Sequence, residues 1–204
     1  MALADPFVEV GDTLRLHARV LDRGGDSIPG AVVTLAVLDT FLTLDSADFA
    51  VIGRATTTAA RVVALSGALR SDPFAIRVPA GHADSLALAG PAADTLGTTD
   101  SVSAGLAVTV LDLTTPPDSA APLADRPVRF VIVAPTFRPD TSTVGLANDS
   151  LGQTVRTAAT GIATTTLHRR RGAQPDSVVV QATAVRASGA PLRGSPVRFV
   201  VRFP

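Results

Sequence analysis

The chain has 204 residues, which suits one large or two small domains, and 46% of them are apolar, enough to fill a packed core. Its 18 basic residues are all arginine and balance 17 aspartates and a single glutamate, so no net field draws in nucleic acid or an anionic membrane. Cysteine, lysine, tryptophan and tyrosine are absent, which excludes disulfides, thiolate metal centres, and Schiff-base and P-loop lysines, and makes aromatic platforms for sugars or single-stranded nucleic acid hard to assemble from the eight scattered Phe.

A composition rich in Val, Thr, Gly and Pro and poor in strong helix formers predicts an all-β fold. The start, Met1-Ala2-Leu3-Ala4-Asp5-Pro6, has neither a basic stretch nor a long apolar one, so no signal peptide is visible. Leu14, Leu16, Ala18 and Val20 alternate with Arg15, His17 and Arg19, the pattern of a half-buried strand. Asp22-Arg23-Gly24-Gly25-Asp26 reads as a turn. The apolar runs Ala31 to Leu38 and Phe130 to Pro135 read as strands, far short of the roughly 20 residues that span a bilayer. Gly53 and Gly161 stand where a positive φ or a close backbone approach suits glycine, and threonine runs follow both. Pro79-Ala80-Gly81-His82 is a short, turn-prone boundary. Beyond it Leu106, Val108 and Val110 alternate again, Pro116-Pro117-Asp118 forms a break, and alternating segments follow at Val128 to Val133 and Val197 to Phe203.

Four anchors recur in the same order. Val20-Leu21-Asp22 returns as Val110-Leu111-Asp112, and Val33 to Val37 returns in pattern as Val128 to Ile132. Gly53 to Thr58 returns as Gly161 to Thr166, and Ser66-Gly67-Ala68-Leu69-Arg70 returns as Ser188-Gly189-Ala190-Pro191-Leu192-Arg193. A widening offset places longer loops in the second copy, where insertions belong on the surface. The reading is two tandem β-sandwiches: a compressed first copy over residues 1–80, with a strand shortened or missing, and a second over residues 83–204.

These residues resemble the invasin/intimin-type bacterial immunoglobulin-like domain. That family tends to show a P-x-x-G-x-P-V-x-F-like strand, then a T-x-x-x-G-x-A-T stretch and a final alternating strand. Leu123 to Phe130 and Thr157 to Thr164 look like the first two, with Asp125 standing near where the family has glycine. Ile28-Pro29-Gly30-Ala31-Val32-Val33 matches in the first copy, and Pro196 to Val201 looks like the closing strand. The resemblance implies two tandem immunoglobulin-like domains, an extracytoplasmic location in the periplasm or at the cell surface, and a structural or protein-binding role. Either a surface adhesin or stalk segment, or a membrane-extrinsic subunit clamping a respiratory or photosynthetic assembly, fits that role. Such motifs mark fold and not chemistry.

No nucleophile elbow or relay is visible, so no enzymatic activity and no cofactor are expected. His17, His82 and His168 have no neighbour at metal-ligand spacing, and neither Asp22 with Asp26 nor Asp140 sits in an alternating calcium loop, so no metal site is expected. If Val128, Phe130 and Ile132 face the core, Arg129, Val131 and Val133 face out; if Val197, Phe199, Val201 and Phe203 face in, Arg198, Val200 and Arg202 face out. Arginine mixed with exposed valine on one sheet resembles a protein interface, unless loops or the other domain cover the valines. Arg169, Arg170 and Arg171, after His168, read as a solvated hairpin tip or as a contact for an acidic partner. The expected partner is protein, with no nucleic acid and no membrane span.

Overall fold

The computed structural model describes residues 6–113, 120–138 and 142–204, so the Pro116-Pro117-Asp118 break and Asp140 lie outside the described residues. No helix occurs among the described residues. The chain divides into two compact units, Met1–Gly81 with Ala187–Gly189, and His82–Arg186 with Ala190–Pro204.

Unit 1 contains β1 (Thr13–Arg15), β2 (Thr34–Val37), β3 (Leu42–Asp45), β4 (Ala50–Gly53), β5 (Thr57–Ser66), β6 (Leu69–Arg70) and β7 (Phe74–Val78). One sheet has the order β1-β4-β3, and the other sets β2, β6 and β7 against β5. Phe7 adds a parallel bridge to Arg77 of β7. Val8, Leu16, Leu42, Val51, Ala60, Val62, Ile76 and Val78 form the core between the sheets.

Unit 2 contains β8 (Ser85–Leu88), β9 (Ala93–Thr95), β10 (Leu106–Asp112), β11 (Ala121–Pro122), β12 (Pro127–Ala134), β13 (Val144–Leu146), β14 (Gly152–Arg156), β15 (Ile162–Thr165), β16 (Leu167–Arg169), β17 (Ser177–Thr183) and β18 (Val197–Arg202). One sheet centres on β10, paired with β8, β11 and β15, and the other runs β14-β12-β17-β18-β9. All these pairs are antiparallel except β9 with β18, which is parallel. The chain crosses between sheets from β10 to β12 and from β15 to β17. That is the immunoglobulin-like arrangement, with strands A, B and E on one side and A′, G, F, C and C′ on the other.

The alternation read from sequence decides what enters this core. Along β10 burial alternates strictly from Leu106 to Asp112. Val128, Phe130 and Ile132 of β12, and Phe199 and Val201 of β18 with Phe203 beyond it, are buried from the opposite sheet. The core cluster of unit 2 thereby collects 22 buried apolar residues, against eight in that of unit 1. Since each fully buried aliphatic side chain contributes about 1.5–3 kcal/mol, unit 2 holds the larger share of the hydrophobic stabilisation.

Three of the four sequence anchors keep comparable places, although Val20 lies outside any strand and Val110 within β10. Val20 and Val110 each accept a hydrogen bond at 2.9 Å, from the Ile28 and Leu123 amides respectively. Thr34 to Val37 and Val128 to Ile132 lie on the strands that flank β5 and β17. Gly67 and Gly189 both take positive φ in the turns after those strands. The fourth anchor is a correction: Gly53 ends β4, whereas Gly161 precedes β15. The two glycines answer different demands. A Cβ at Gly53 would lie 2.4 Å from the Glu9 carbonyl oxygen, while Gly161 has φ +73 and a Cβ there would lie 2.5 Å from Pro122.

The first copy is shortened in a specific way. Its strand β1 forms a ladder only over Thr13–Arg15, where alternation predicts a strand to Val20. The Leu16 amide still reaches the Phe49 carbonyl at 3.0 Å, but the chain then runs to the Leu21–Ser27 bridge with no ladder on either side. The corresponding stretch of β10 is paired by β15 on one edge and β8 on the other.

The corner before β12 shows how the Thr-x-x-x-Gly-x-Ala-Thr stretch works. The buried Thr157 hydroxyl donates to the Leu123 carbonyl at 2.6 Å and accepts from the Arg126 amide at 2.9 Å. Asp125 takes φ 63, the left-handed conformation that the family's glycine adopts freely, and Arg156 Nη1 donates to its carbonyl at 2.8 Å. Aspartate tolerates this region better than most residues.

Two outcomes are expected. Phe130→Ala empties a fully buried position, and chemical denaturation should register a loss of about 3–5 kcal/mol from unit 2. In unit 1, Arg61 grips Asp39 with Nη2 at 2.9 Å, Nε at 3.2 Å and its amide at 2.7 Å. This holds the Asp39 carboxyl below its ordinary value of 3.8. A depressed carboxyl stabilises the fold above the unfolded pKa and loses that contribution as pH falls through the folded one. Asp39→Asn should therefore lower the melting temperature of unit 1 at neutral pH and flatten its decline below pH 3.8; an unchanged acid limb contradicts the account.

Candidate functional site

The five-stranded sheet of unit 2 sets the geometry of the site. Arg129 lies across from Thr154 on one neighbour and Thr183 on the other, and Val131 from Gly152 and Gln181. Gln181 in turn pairs with Arg198, Val179 with Val200, and Ser177 with Arg202. Residues directly opposite on adjacent strands share a face. Arg129, Val131, Arg198, Val200 and Arg202 therefore occupy one outward surface, with β17 between the two groups. Arg129, Arg198 and Arg202 are exposed, while Val131 and Val200 are half-buried by their neighbours.

Val133 departs from this row. The register shifts between Ile132 and Ala134, which pair with Val180 and Val179, so Val133 sits in the irregularity and is 41% exposed. Sequence reasoning missed the middle strand, whose Val179, Gln181 and Thr183 connect the two groups. Its alternation was legible, because Val178, Val180 and Ala182 are buried at every second position.

The arginine cluster lies elsewhere, and its members differ. Arg169 of β16 donates from Nη1 to the Thr98 carbonyl at 2.9 Å and from Nη2 to Leu96 at 3.0 Å. Its guanidinium carbon lies 5.4 Å from the centre of the Phe203 ring, a cation–π contact. Arg170 Nη2 hydrogen-bonds the Asp149 carbonyl and lies 3.6 Å from that residue's carboxylate. Arg171 alone of the three is exposed.

His17 is exposed on the outer side of unit 1. His168 Nε2 lies 3.0 Å from the Thr166 hydroxyl, and His82 Nδ1 lies 3.4 Å from Asp84. Asp84 also takes the Arg186 guanidinium at 2.7 Å, a link across 102 positions of the chain. Asp22 behaves as turn chemistry predicts. Its carboxylate accepts the Gly24 amide at 2.8 Å and the Asp26 amide at 3.0 Å, closing the turn.

The topology and the outward face define an immunoglobulin-like sandwich module. No family model and no curated protein matches the chain. Among solved structures it is similar to the adhesin InvE of Yersinia pseudotuberculosis, at 17% identity and a TM-score of 0.41 over 98% of this chain. It is also similar to the D00-D0 domain of intimin, at 16% identity and 0.38 over 99% of this chain and 96% of that one. Fibronectin(III)-like modules of Clostridium thermocellum CbhA follow at 14% identity and 0.33, over 99% and 90%. The chain spans 57% of the InvE structure. No helix among the described residues is long and apolar enough to cross a membrane.

Arg169 should behave as a structural residue. Arg169→Ala removes two charge-assisted hydrogen bonds and the contact with Phe203, and denaturation should show a loss of about 2 kcal/mol. Arg171→Ala should leave stability within about 0.5 kcal/mol of the parent.

Proposed function

We propose that the chain is a non-catalytic protein-binding module of the bacterial cell envelope, facing the periplasm or the cell surface, built from domains at residues 1–80 and 83–204. Its contact surface is the outward side of the five-stranded sheet, carried by Arg129, Val131, Arg198, Val200 and Arg202, with Val133 beside them and the exposed Arg171 as a separate contact. The observation that supports this reading is the arginine–valine mixture on one continuous face, registered through β17. Arginine supplies planar donors for carboxylates and carbonyls, and the valines supply area that gains from losing water.

Five strands at about 4.8 Å spacing make a face roughly 20 Å across. A square of that size covers on the order of 400 Å², about half of what one partner buries in a standard interface. Binding through this face therefore draws on flanking loops as well, or belongs to the weaker, transient class. Arg169 and Arg170 contribute shape at the end of unit 2, since their guanidinium groups are already engaged within it.

The test begins with native isolation from gently solubilised membranes and mass spectrometry of co-migrating proteins, using no amine cross-linker because the chain lacks lysine. Stoichiometric co-migration with integral membrane proteins favours an extrinsic subunit of a larger complex; recovery within a longer surface chain favours an adhesin or stalk segment. Arg198→Glu with Val200→Asp should then abolish capture of that partner while cooperative melting persists. Undiminished capture by the folded double variant overturns the assignment of the face.

A further inference from the structure

A separate surface, the outer edge of β2 in unit 1, is left unpaired by the strand order. The Leu38 amide donates to the Arg61 carbonyl at 2.9 Å, and β2 pairs antiparallel with β5 from Thr34 opposite Leu65 to Val37 opposite Val62. Along an antiparallel pair, every second residue bonds to the neighbour. Thr34, Ala36 and Leu38 therefore turn their backbone groups toward β5, while Val33, Leu35 and Val37 turn theirs away from it. Those three make no backbone hydrogen bond on that side with any described residue, and β2 ends its sheet.

In unit 2 the same edge is paired. Val128, Phe130 and Ile132 stand at the places of Val33, Leu35 and Val37. Val128 lies opposite Val155 of β14 and Phe130 opposite Gln153, and the Ile132 amide donates to the Leu151 carbonyl at 2.9 Å. The difference is internal to the chain. Residues 38–41 alone join β2 to β3, which pairs with β4 in the other sheet, whereas residues 135–151 separate β12 from β14 and give the chain length to return along the edge.

Nothing in the sequence of this edge discourages pairing. Exposed sheet edges are ordinarily kept apart by charge, proline or a bulge. No charged residue occurs between Asp26 and Asp39, residues 31–38 hold no proline, and the pairing of β2 with β5 runs without a register shift. On the outward side Val32 is 76% exposed and Leu38 37% exposed, with Thr34 and Ala36 between them. The charges beside Leu38, Asp39 and Arg61, already engage each other at 2.9 Å.

With no charge to select a partner of opposite sign, the edge is complementary to itself. A second copy laid antiparallel about Leu35 sets Leu35 against Leu35 and Val33 against Val37 as hydrogen-bonded pairs, with Thr34 against Ala36 on the outward side. The same register brings the exposed Val32 of each copy opposite Leu38 of the other, so both lose contact with water together.

We propose that unit 1 pairs with a second copy of this chain through the β2 edge, antiparallel about Leu35, so that two sheets become one. An edge of seven residues is about 23 Å long, and at a depth of about 10 Å it covers on the order of 230 Å² a side. That is well under the roughly 800 Å² per partner of a standard interface, which places the pairing in the weak, concentration-dependent class.

Sedimentation velocity of the full chain over about a hundredfold range of concentration should show reversible exchange between monomer and dimer that stops at two copies. Amide exchange by NMR should show Val33, Leu35 and Val37 gaining protection as concentration rises, while Thr34 and Ala36, already bonded to β5, stay unchanged. Thr34 is exposed, and the two-fold sets the Thr34 positions of the two copies diagonally across from each other, within reach of longer side chains. Thr34→Glu and Thr34→Arg should each weaken the dimer roughly fivefold, and an equimolar mixture of the two should restore it. Arg198→Glu with Val200→Asp should leave association unchanged, which separates this edge from the face in unit 2. A chain that stays monomeric throughout, charge variants that associate like the parent, protection confined to other amides, dependence on Arg198 and Val200, or growth beyond two copies would each overturn the proposal.

Discussion

Backbone hydrogen bonding along one strand position governs how far each half of this protein is finished. A strand inside a sheet has donors and acceptors on both edges, and each buried one left unmade costs about 1–3 kcal/mol. β10 satisfies both edges, through β15 on one side and β8 on the other, and its alternating side chains can then face a second sheet across a closed core. The corresponding stretch after β1 forms no ladder with any described residue beyond the Leu16–Phe49 bond, and its side chains stop alternating cleanly: Leu16 is buried while Ala18 is exposed. The size of each core follows from this. Where the strand is paired the sandwich closes around Phe130 and Phe199, and where it is not, the interior opens into grooves beside Leu16 and Phe49.

The two-residue period carried most of what could be read beforehand. Alternation alone sends Val128, Phe130 and Ile132 inward and Arg129 and Val131 outward, because on a pleated strand a side chain has only two directions. Composition excluded helices for the same local reason. The Gly-x-Ala-Thr-Thr-Thr similarity misled, since glycine before a threonine run serves either a close approach, as at Gly53, or a left-handed turn, as at Gly161, and sequence does not distinguish them.

Register and loop geometry were beyond that period. Nothing local marks the shift after Ile132 that takes Val133 out of the row, because it arises from pairing with β17, nearly fifty positions away. The arginine cluster after His168 illustrates the same limit. Its spacing suggests a solvated tip, but Arg169 finds carbonyls at Leu96 and Thr98 that lie more than 70 positions back in the chain. Arg126, a charged residue at a turn, is only 2% exposed. Its Nη1 donates to the nearby Ala124 carbonyl at 3.1 Å, within a corner that Thr157 fastens from the other side.

The disparity between a core of 22 buried apolar residues and one of eight has a thermal meaning. Heat is not resisted evenly by such a chain, because the hydrophobic stabilisation of each compact unit scales with the apolar surface it would have to expose. Unit 1, with less apolar surface to expose, is expected to unfold at the lower temperature. Unfolding is then two events rather than one, and a single melting temperature does not describe it. The thermal limit of the whole is then set by the packing of one half.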